Sequence, residues 1–160
     1  MKRVLAIGIG SLLMTDDGIG SRVVEDIKSS LAERAISAFI AETDFQCCFD
    51  VIKPDNLVII VDAMVQGNKP GSIDVMPLGD ALKNRSRFIT QHAFCLFDLI
   101  ELYSPQTRGY VIGIEASEVG FGFELSHALK ECFEQICTDV LSAILNIKEA
   151  EGSKYRCMNI

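Results

Sequence analysis

Two acidic side chains and one histidine stand where α/β proteins place catalytic or metal-binding groups. Asp17 follows the first apolar segment of the chain, Asp62 follows the most apolar one, and His92 opens a later helical pattern. In an open α/β sheet, ligands bind beyond the carboxyl ends of the strands. We therefore expect these three side chains to meet at one edge of a sheet, although they lie far apart in the sequence.

Such a set of side chains supports two kinds of chemistry. Imidazole binds nickel and zinc, carboxylates add negative charge, and three protein ligands leave coordination positions for water or substrate. A metal ion held there could polarise a scissile carbonyl or activate water. The same groups could also act as general acid and base without a metal, because paired carboxylates shift each other's pKa. The residues alone leave both mechanisms open.

The neighbouring residues predict a support for these groups. One of the two adjacent acids is expected to cap or charge the first turn of the following helix. Glu115 follows a late apolar segment and is expected to lie behind the three principal side chains. The residues expected to form the supporting loop around Asp17 are Gly8, Gly10, Asp16 and Gly18.

Each principal residue also has a purely structural explanation. Asp17 could supply only charge at a helix start, Asp62 could be only a turn residue, and His92 could only cap its helix. Asp17 and Asp62 fit either explanation equally well, and His92 taken alone is better explained as a helix cap. Together with the other two motifs, His92 is favoured as a ligand. Cys47 and Cys48 are adjacent, and a disulfide between neighbours is strained, so we expect free thiols there.

Segments of strand type and helix type alternate along the chain. This alternation predicts an α/β fold with three layers, in which a mostly parallel sheet lies between helices on both faces. Residues 1–148 are expected to form a single domain and residues 149–160 a loose polar tail. Strands are predicted at 2–9, 37–42, 57–61, 73–76 and 110–114, and helices at 18–35, 46–52, 90–103 and 124–147.

Composition and the absence of several motifs exclude other classes of protein. With 15 Lys and Arg against 22 Asp and Glu, the net charge is −7, which disfavours nucleic acid and anionic membranes. The six cysteines form no Cys-x-x-Cys pair, and the N-terminal apolar stretch is broken by glycines, so a cytoplasmic protein with free thiols is expected. Leu13 occupies the position of the third glycine of a dinucleotide fingerprint, and no P-loop, His-Glu-x-x-His or Gly-x-Ser-x-Gly motif is present.

Several of these motifs, in this order, resemble those of the nickel–iron hydrogenase maturation endopeptidases. The matching residues are the run from Gly8 to Gly20, Val61-Asp62-Ala63, His92, Ile112-Gly113-Ile114-Glu115, and Gly122, Leu125 and Ser126. Order and spacing agree over residues 2–147. The resemblance implies a twisted, largely parallel five-stranded sheet and a metal-contacting trio of Asp17, Asp62 and His92.

The resemblance also implies an activity. Members of this family remove a short C-terminal extension from the hydrogenase large-subunit precursor after nickel has been inserted. Nickel is then contributed by the substrate protein, and no organic cofactor is expected. Two alternatives are a nickel-dependent chaperone that binds the precursor without cutting it, and a phosphate-binding domain, which the acidic pair Asp16-Asp17 disfavours.

The sequence departs from the family pattern at four places. Ser11 replaces the usual Asn, Asp17 replaces the Glu of some members, and Ala116 replaces a common Pro. The segment 42–48 replaces a glycine-rich segment associated with substrate recognition, so the partner hydrogenase is not identified by the resemblance.

Overall fold

A five-stranded sheet forms the centre of the part of the chain that the structure describes. The computed structural model describes residues 3–87 and 91–157, and the side chains of these residues except 87, 91–95 and 155–157. The strand order is β2-β1-β3-β5-β4, and only the β4–β5 pair is antiparallel. The predicted mostly parallel sheet is therefore confirmed. The strands are β1 (Arg3–Ile9), β2 (Ile36–Glu42), β3 (Asn56–Met64), β4 (Ile73–Pro77) and β5 (Arg108–Glu115).

Helices cover both faces of this sheet, which is why its central strands read as continuous apolar runs. All nine residues of β3 are buried. Alternate residues of the strands pack on α1 and α5 on one face and on α2, α3 and α4 on the other, which we call the α4 face. The predicted three-layer arrangement is confirmed. The helices are α1 (Ile19–Ala32), α2 (Phe45–Val51), α3 (Leu78–Lys83), α4 (Gln91–Tyr103) and α5 (His127–Cys157).

The direction of chain progression across the sheet changes at β1. From β1 the chain passes through α1 to β2 on one side, whereas β3 pairs with the other side of β1. Such a switch point opens a crevice at the carboxyl ends of the two strands. Gly20 lets α1 approach both, because a Cβ there would lie 2.6 Å from the Ile9 carbonyl oxygen and 2.2 Å from that of Val61.

Several element boundaries differ from the sequence prediction. Strand β3 continues to Met64, so Asp62 lies within the strand instead of following it. Helix α3 and a 3₁₀ turn at Arg85–Arg87 were not predicted, since both are short. Among the described helices, none combines the length and the apolar character needed to cross a membrane.

The prediction of a loose tail from residue 149 is wrong as far as Cys157, because α5 continues through this region. Glu151 is only 5% exposed. Its carboxylate accepts hydrogen bonds from Arg108 Nη2 and Tyr110 Oη, both at 2.9 Å, and from Lys154 Nζ at 2.6 Å. These bonds join the last turns of α5 to the start of β5, at the sheet edge opposite the crevice.

We expect Glu151→Ala to lower the free energy of unfolding by about 1–3 kcal/mol, because it removes a buried carboxylate that accepts hydrogen bonds from three side chains. Hydrogen bonding from Lys154 is the main cause that holds the pKa of Glu151 below its ordinary value of 4.5. A depressed pKa in the folded state stabilises the protein fully above the unfolded pKa, and the contribution is lost as pH falls through the folded pKa.

The difference in stability between wild type and Glu151→Ala should therefore shrink in acid. Urea denaturation measured at neutral pH and at successively lower pH tests this. The exposed Glu149 on the same helix supplies the control substitution Glu149→Ala. A difference that stays constant down to the lowest pH would contradict the role given to the ionised carboxylate.

Candidate active site

Asp17 lies in a 3₁₀ turn, Thr15–Gly18, that follows β1. Its side chain is 6% exposed, and its Oδ2 accepts a hydrogen bond from the Ser11 amide at 2.7 Å. This bond closes the loop between β1 and the turn. Gly10 is required in that loop, because its φ is +119° and a Cβ would lie 1.8 Å from the Asp17 carbonyl oxygen. The predicted glycines Gly8 and Gly18 lie in β1 and at the end of the turn.

Asp62 lies near the carboxyl end of β3 and is fully buried. Its Oδ1 accepts a hydrogen bond from the Ala63 amide at 2.8 Å. Ile60 and Met64, two residues away on either side, pack on the α4 face. Because side chains alternate along a strand, the Asp62 side chain lies on the α4 face as well.

The structure brings the elements of the two aspartates together. The turn that carries Asp17 packs against β3, which carries Asp62. Both residues therefore lie at the crevice where the chain direction changes. Their burial and their bonds to backbone amides restrict the orientation of the two carboxylates.

His92 lies in the first turn of α4, and its side chain falls outside the described residues. Further along the same helix, Leu96, Phe97 and Ile100 pack on the face that also carries Asp62. Helix α4 thus packs on the same face of the sheet as Asp62. The approach of the imidazole to the two carboxylates stays a prediction.

Asp16 does not cap the helix that follows it. Neither acid caps α1, whose N-cap is Gly18 without a side-chain hydrogen bond. The fully buried Asp16 carboxylate instead accepts three backbone hydrogen bonds, from Ser117 at 2.9 Å, Glu118 at 2.8 Å and Ser126 at 2.7 Å. It therefore joins the turn after β1 to the loop between β5 and α5.

Thr15 adds to this connection, which was not predicted from the sequence. Its amide donates to the Gly122 carbonyl at 2.9 Å, its hydroxyl donates to the Glu118 carbonyl at 2.8 Å, and the same hydroxyl accepts from the Gly120 amide at 3.0 Å. Thr15 has a φ of 37°, a strained value for a β-branched residue. The only available sequence signal was a pair of short polar residues, Thr15-Asp16, of the kind that bind backbone groups in turns.

Glu115 lies at the end of β5, paired with Met64 of β3, and is 1% exposed. Its Oε1 accepts hydrogen bonds from the amides of Gln66 and Gly67 at 2.8 and 2.9 Å, which fixes the segment that follows β3. Its Oε2 is buried and has no hydrogen-bond partner among the residues that the structure describes. Alternation along β5 places Glu115 on the α4 face, since Val111 packs there. Its expected position behind the three principal residues and its role stay predictions.

The segment that replaces the family's glycine-rich stretch forms the start of α2. Asp44 caps this helix by accepting a hydrogen bond from the Cys47 amide at 2.9 Å. Cys47 and Cys48 are free thiols. Burial raises the pKa of the Cys48 thiol to about 12, and the hydrogen bond with Asp44 raises that of Cys47. High pKa values make both thiols poor nucleophiles, which favours a structural role.

The described side chains supply carboxylate oxygen but no complete metal site. Among them, no three His, Cys, Asp or Glu residues are arranged to hold a metal ion, and His92 is not part of that set. Two buried aspartates at the crevice can nevertheless act as anionic ligands or as proton acceptors.

We expect Asp16→Ala to lower the free energy of unfolding by at least about 3 kcal/mol, because three backbone amides lose a charged acceptor together. Urea denaturation measures the loss, and limited proteolysis within 117–126 reports whether that loop is released. The exposed Asp55, changed in the same way, is the control. Equal stability of the two variants would show that the Asp16 bonds do not hold the loops together.

Comparison with known proteins identifies the fold and the family of this chain. The model of the HycI hydrogenase maturation protease family matches residues 21–143. The fold is similar to that of the hydrogenase maturating endopeptidase HybD from E. coli, with a TM-score of 0.74 and 21% identity over 90% of this chain and 93% of that chain. It is also similar to the [NiFe] hydrogenase maturation protease HybD from Thermococcus kodakarensis, with a TM-score of 0.67 and 24% identity over 89% of this chain and 99% of that chain.

A further solved structure of the same kind is the [NiFe] hydrogenase maturation protease HycI from Thermococcus kodakarensis KOD1. It has a TM-score of 0.64 and 22% identity over 91% of this chain and 93% of that chain. No curated protein matches the chain in sequence. The structural likenesses show a shared fold, and the family match extends over most of the chain. This protein belongs to the hydrogenase maturation protease family.

Proposed function

We propose that this protein is the endopeptidase that removes the C-terminal extension of a nickel-loaded [NiFe] hydrogenase large-subunit precursor. The family match gives the class of enzyme, and one structural observation supports the proposal. Two buried aspartates, Asp17 and Asp62, lie on adjoining elements at the crevice between β1 and β3. Buried carboxylates at such a switch point are suited to catalysis rather than to solubility.

The nickel ion belongs to the substrate in this proposal. Carboxylate and imidazole groups are acceptable ligands for nickel, so Asp17, Asp62 and His92 would recognise a precursor that already carries the ion. A set of two carboxylates and one imidazole is small, which suits temporary contact with an ion held by another protein. This explains how cleavage would wait until the metal has been inserted.

The two aspartates would also serve the hydrolysis itself. Peptide cleavage requires a group that accepts a proton from the attacking water and a group that returns a proton to the leaving amine. Carboxylates held by the Ser11 and Ala63 amides are oriented before the substrate arrives. Such preorganisation lowers the cost of reaching the transition state.

The proposed partner is the hydrogenase precursor. Nucleic acid and membranes are not proposed as partners. The net charge of −7 supports this, because phosphate groups would be repelled. A cytoplasmic location is proposed as well, since Cys47, Cys48, Cys132 and Cys137 are free thiols, as expected under reducing conditions.

We expect Asp17→Asn, Asp62→Asn and His92→Gln each to lower the rate of precursor processing by at least about 100-fold, because each removes a group that binds nickel or transfers a proton. Mass spectrometry of the precursor before and after incubation measures processing. Asp55→Asn and His127→Gln are matched controls, since both side chains are exposed and Asp55 lies just before β3, at its other end.

The same assay with nickel-free and nickel-loaded precursor tests the role of the metal. Only the loaded form should become shorter. Normal processing by all three site variants would refute the residue assignment. An unchanged precursor mass, together with a stable complex, would instead identify a nickel-dependent chaperone.

A further inference from the structure

Four exposed apolar side chains lie on the two loops that meet beside Asp17. Leu13 is 52% exposed, Val119 43%, Phe121 79% and Phe123 66%. The two phenylalanine rings contact each other edge to face, with centroids 5.7 Å apart. Single exposed apolar residues need no explanation, but a group that includes an aromatic pair marks an interaction surface. We call these four residues the aromatic platform.

We propose that the aromatic platform is the docking surface for an apolar segment of the protein substrate, at a distance from the peptide bond that is cut. The proposal rests on the proposed function, because it names the surface that holds the same substrate. It assigns a binding role to residues outside the predicted catalytic trio.

The platform is held rigidly although its side chains are exposed. The Gly122 amide donates to the Leu13 carbonyl at 2.9 Å, and the Thr15 amide donates to the Gly122 carbonyl at 2.9 Å. Asp16 binds the same loop through three further backbone amides. A partner therefore meets a surface whose backbone is already ordered, which reduces the entropy lost on binding.

Short backbone segments and hydrogen bonds also connect the platform to Asp17. Leu13 lies inside the loop that the bond from the Ser11 amide to Asp17 Oδ2 closes. Asp16, next to Asp17, fixes the loop that carries Phe121 and Phe123. A substrate held on the platform is thus positioned relative to Asp17 through a few backbone bonds.

A cavity beside the platform supports a polypeptide as the occupant. Arg22 Nη2 donates to the Phe123 carbonyl at 2.6 Å. Arg22 also lines a cavity of about 350 Å³ together with Glu124, Leu125, Lys130 and Phe133. Its apolar part, formed by Leu125 and Phe133, suits one large apolar side chain of a docked segment, next to the exposed rings.

A second copy of this chain is a less suitable occupant. Four such side chains offer roughly 400 Å² of apolar surface. A stable dimer buries about 800 Å² on each partner. Two copies would each carry a net charge of −7 and repel one another. A substrate that also fills the crevice needs only a small additional surface, which the platform provides.

The test compares Phe121→Ser/Phe123→Ser with Leu102→Ser/Val75→Ser in the processing assay with nickel-loaded precursor. Leu102 and Val75 are 72% and 40% exposed and lie on α4 and β4, away from the platform loops. We expect the platform variant to raise KM at least about tenfold, because aromatic side chains are enriched in interface cores and a few central residues carry most of the binding energy. The loss should appear in KM rather than in kcat, and the melting temperature should match that of the control.

Leu13→Ser, on the other loop, is a second variant and should also raise KM.

Binding is measured separately by calorimetry, with the Asp17→Asn enzyme and the same precursor. Binding without cleavage by the wild type would refute the proposed function, and a platform variant that then failed to bind would still support the docking surface. A platform variant with the KM of the control would overturn the docking proposal while leaving the proposed function intact. A wild-type dimer that the platform variant converts to a monomer would also overturn it.

Discussion

The connection made by the Asp16 carboxylate supports the rest of the candidate site. One buried side chain accepts three amide hydrogen bonds from residues more than a hundred positions away. A buried charge without such partners would strongly destabilise the fold, so the two loops must come together for the chain to fold. The turn that carries Asp17 is fixed as a result, and α5 begins in a defined place.

The adjacent acids therefore divide their roles. Asp16 faces a distant loop and holds it by backbone contacts, whereas Asp17 closes its own loop next to the crevice. The sequence predicted that one acid of the pair, Asp17, is a principal site residue. It did not indicate what the other one binds, because its partners are backbone amides of the segment 117–126, and amides are present at every residue except proline.

Much of the sheet could be predicted from the sequence, since β1, β3 and β5 are buried on both faces and read as continuous apolar runs. Strand order could not be predicted, because each of these strands is apolar enough to occupy the centre. The last turns of α5 were missed for a related reason. Their polar composition suggests a tail, and only the distant partners Arg108 and Tyr110 make burial of Glu151 favourable.

For the site, the sequence predicted that Asp17 and Asp62 follow two strands; Asp17 lies in the turn after β1, whereas Asp62 lies within the last residues of β3. Spacing along the chain carries this information, because parallel strands present their carboxyl ends at one edge. The supporting role of Thr15 and the contacts of Glu115 with the segment after β3 could not be read from the sequence. Both depend on pairs of residues that only the folded chain brings into contact.

The use of main-chain donors to fix the loop before α5 has an evolutionary consequence. Asp16 accepts hydrogen bonds from the backbone amides of Ser117, Glu118 and Ser126. These bonds do not depend on the side chains of that loop. Positions 119, 121 and 123 can accumulate substitutions without loosening the attachment. Selection could thus change which protein is recognised while the adjacent residues proposed to carry out hydrolysis stay the same.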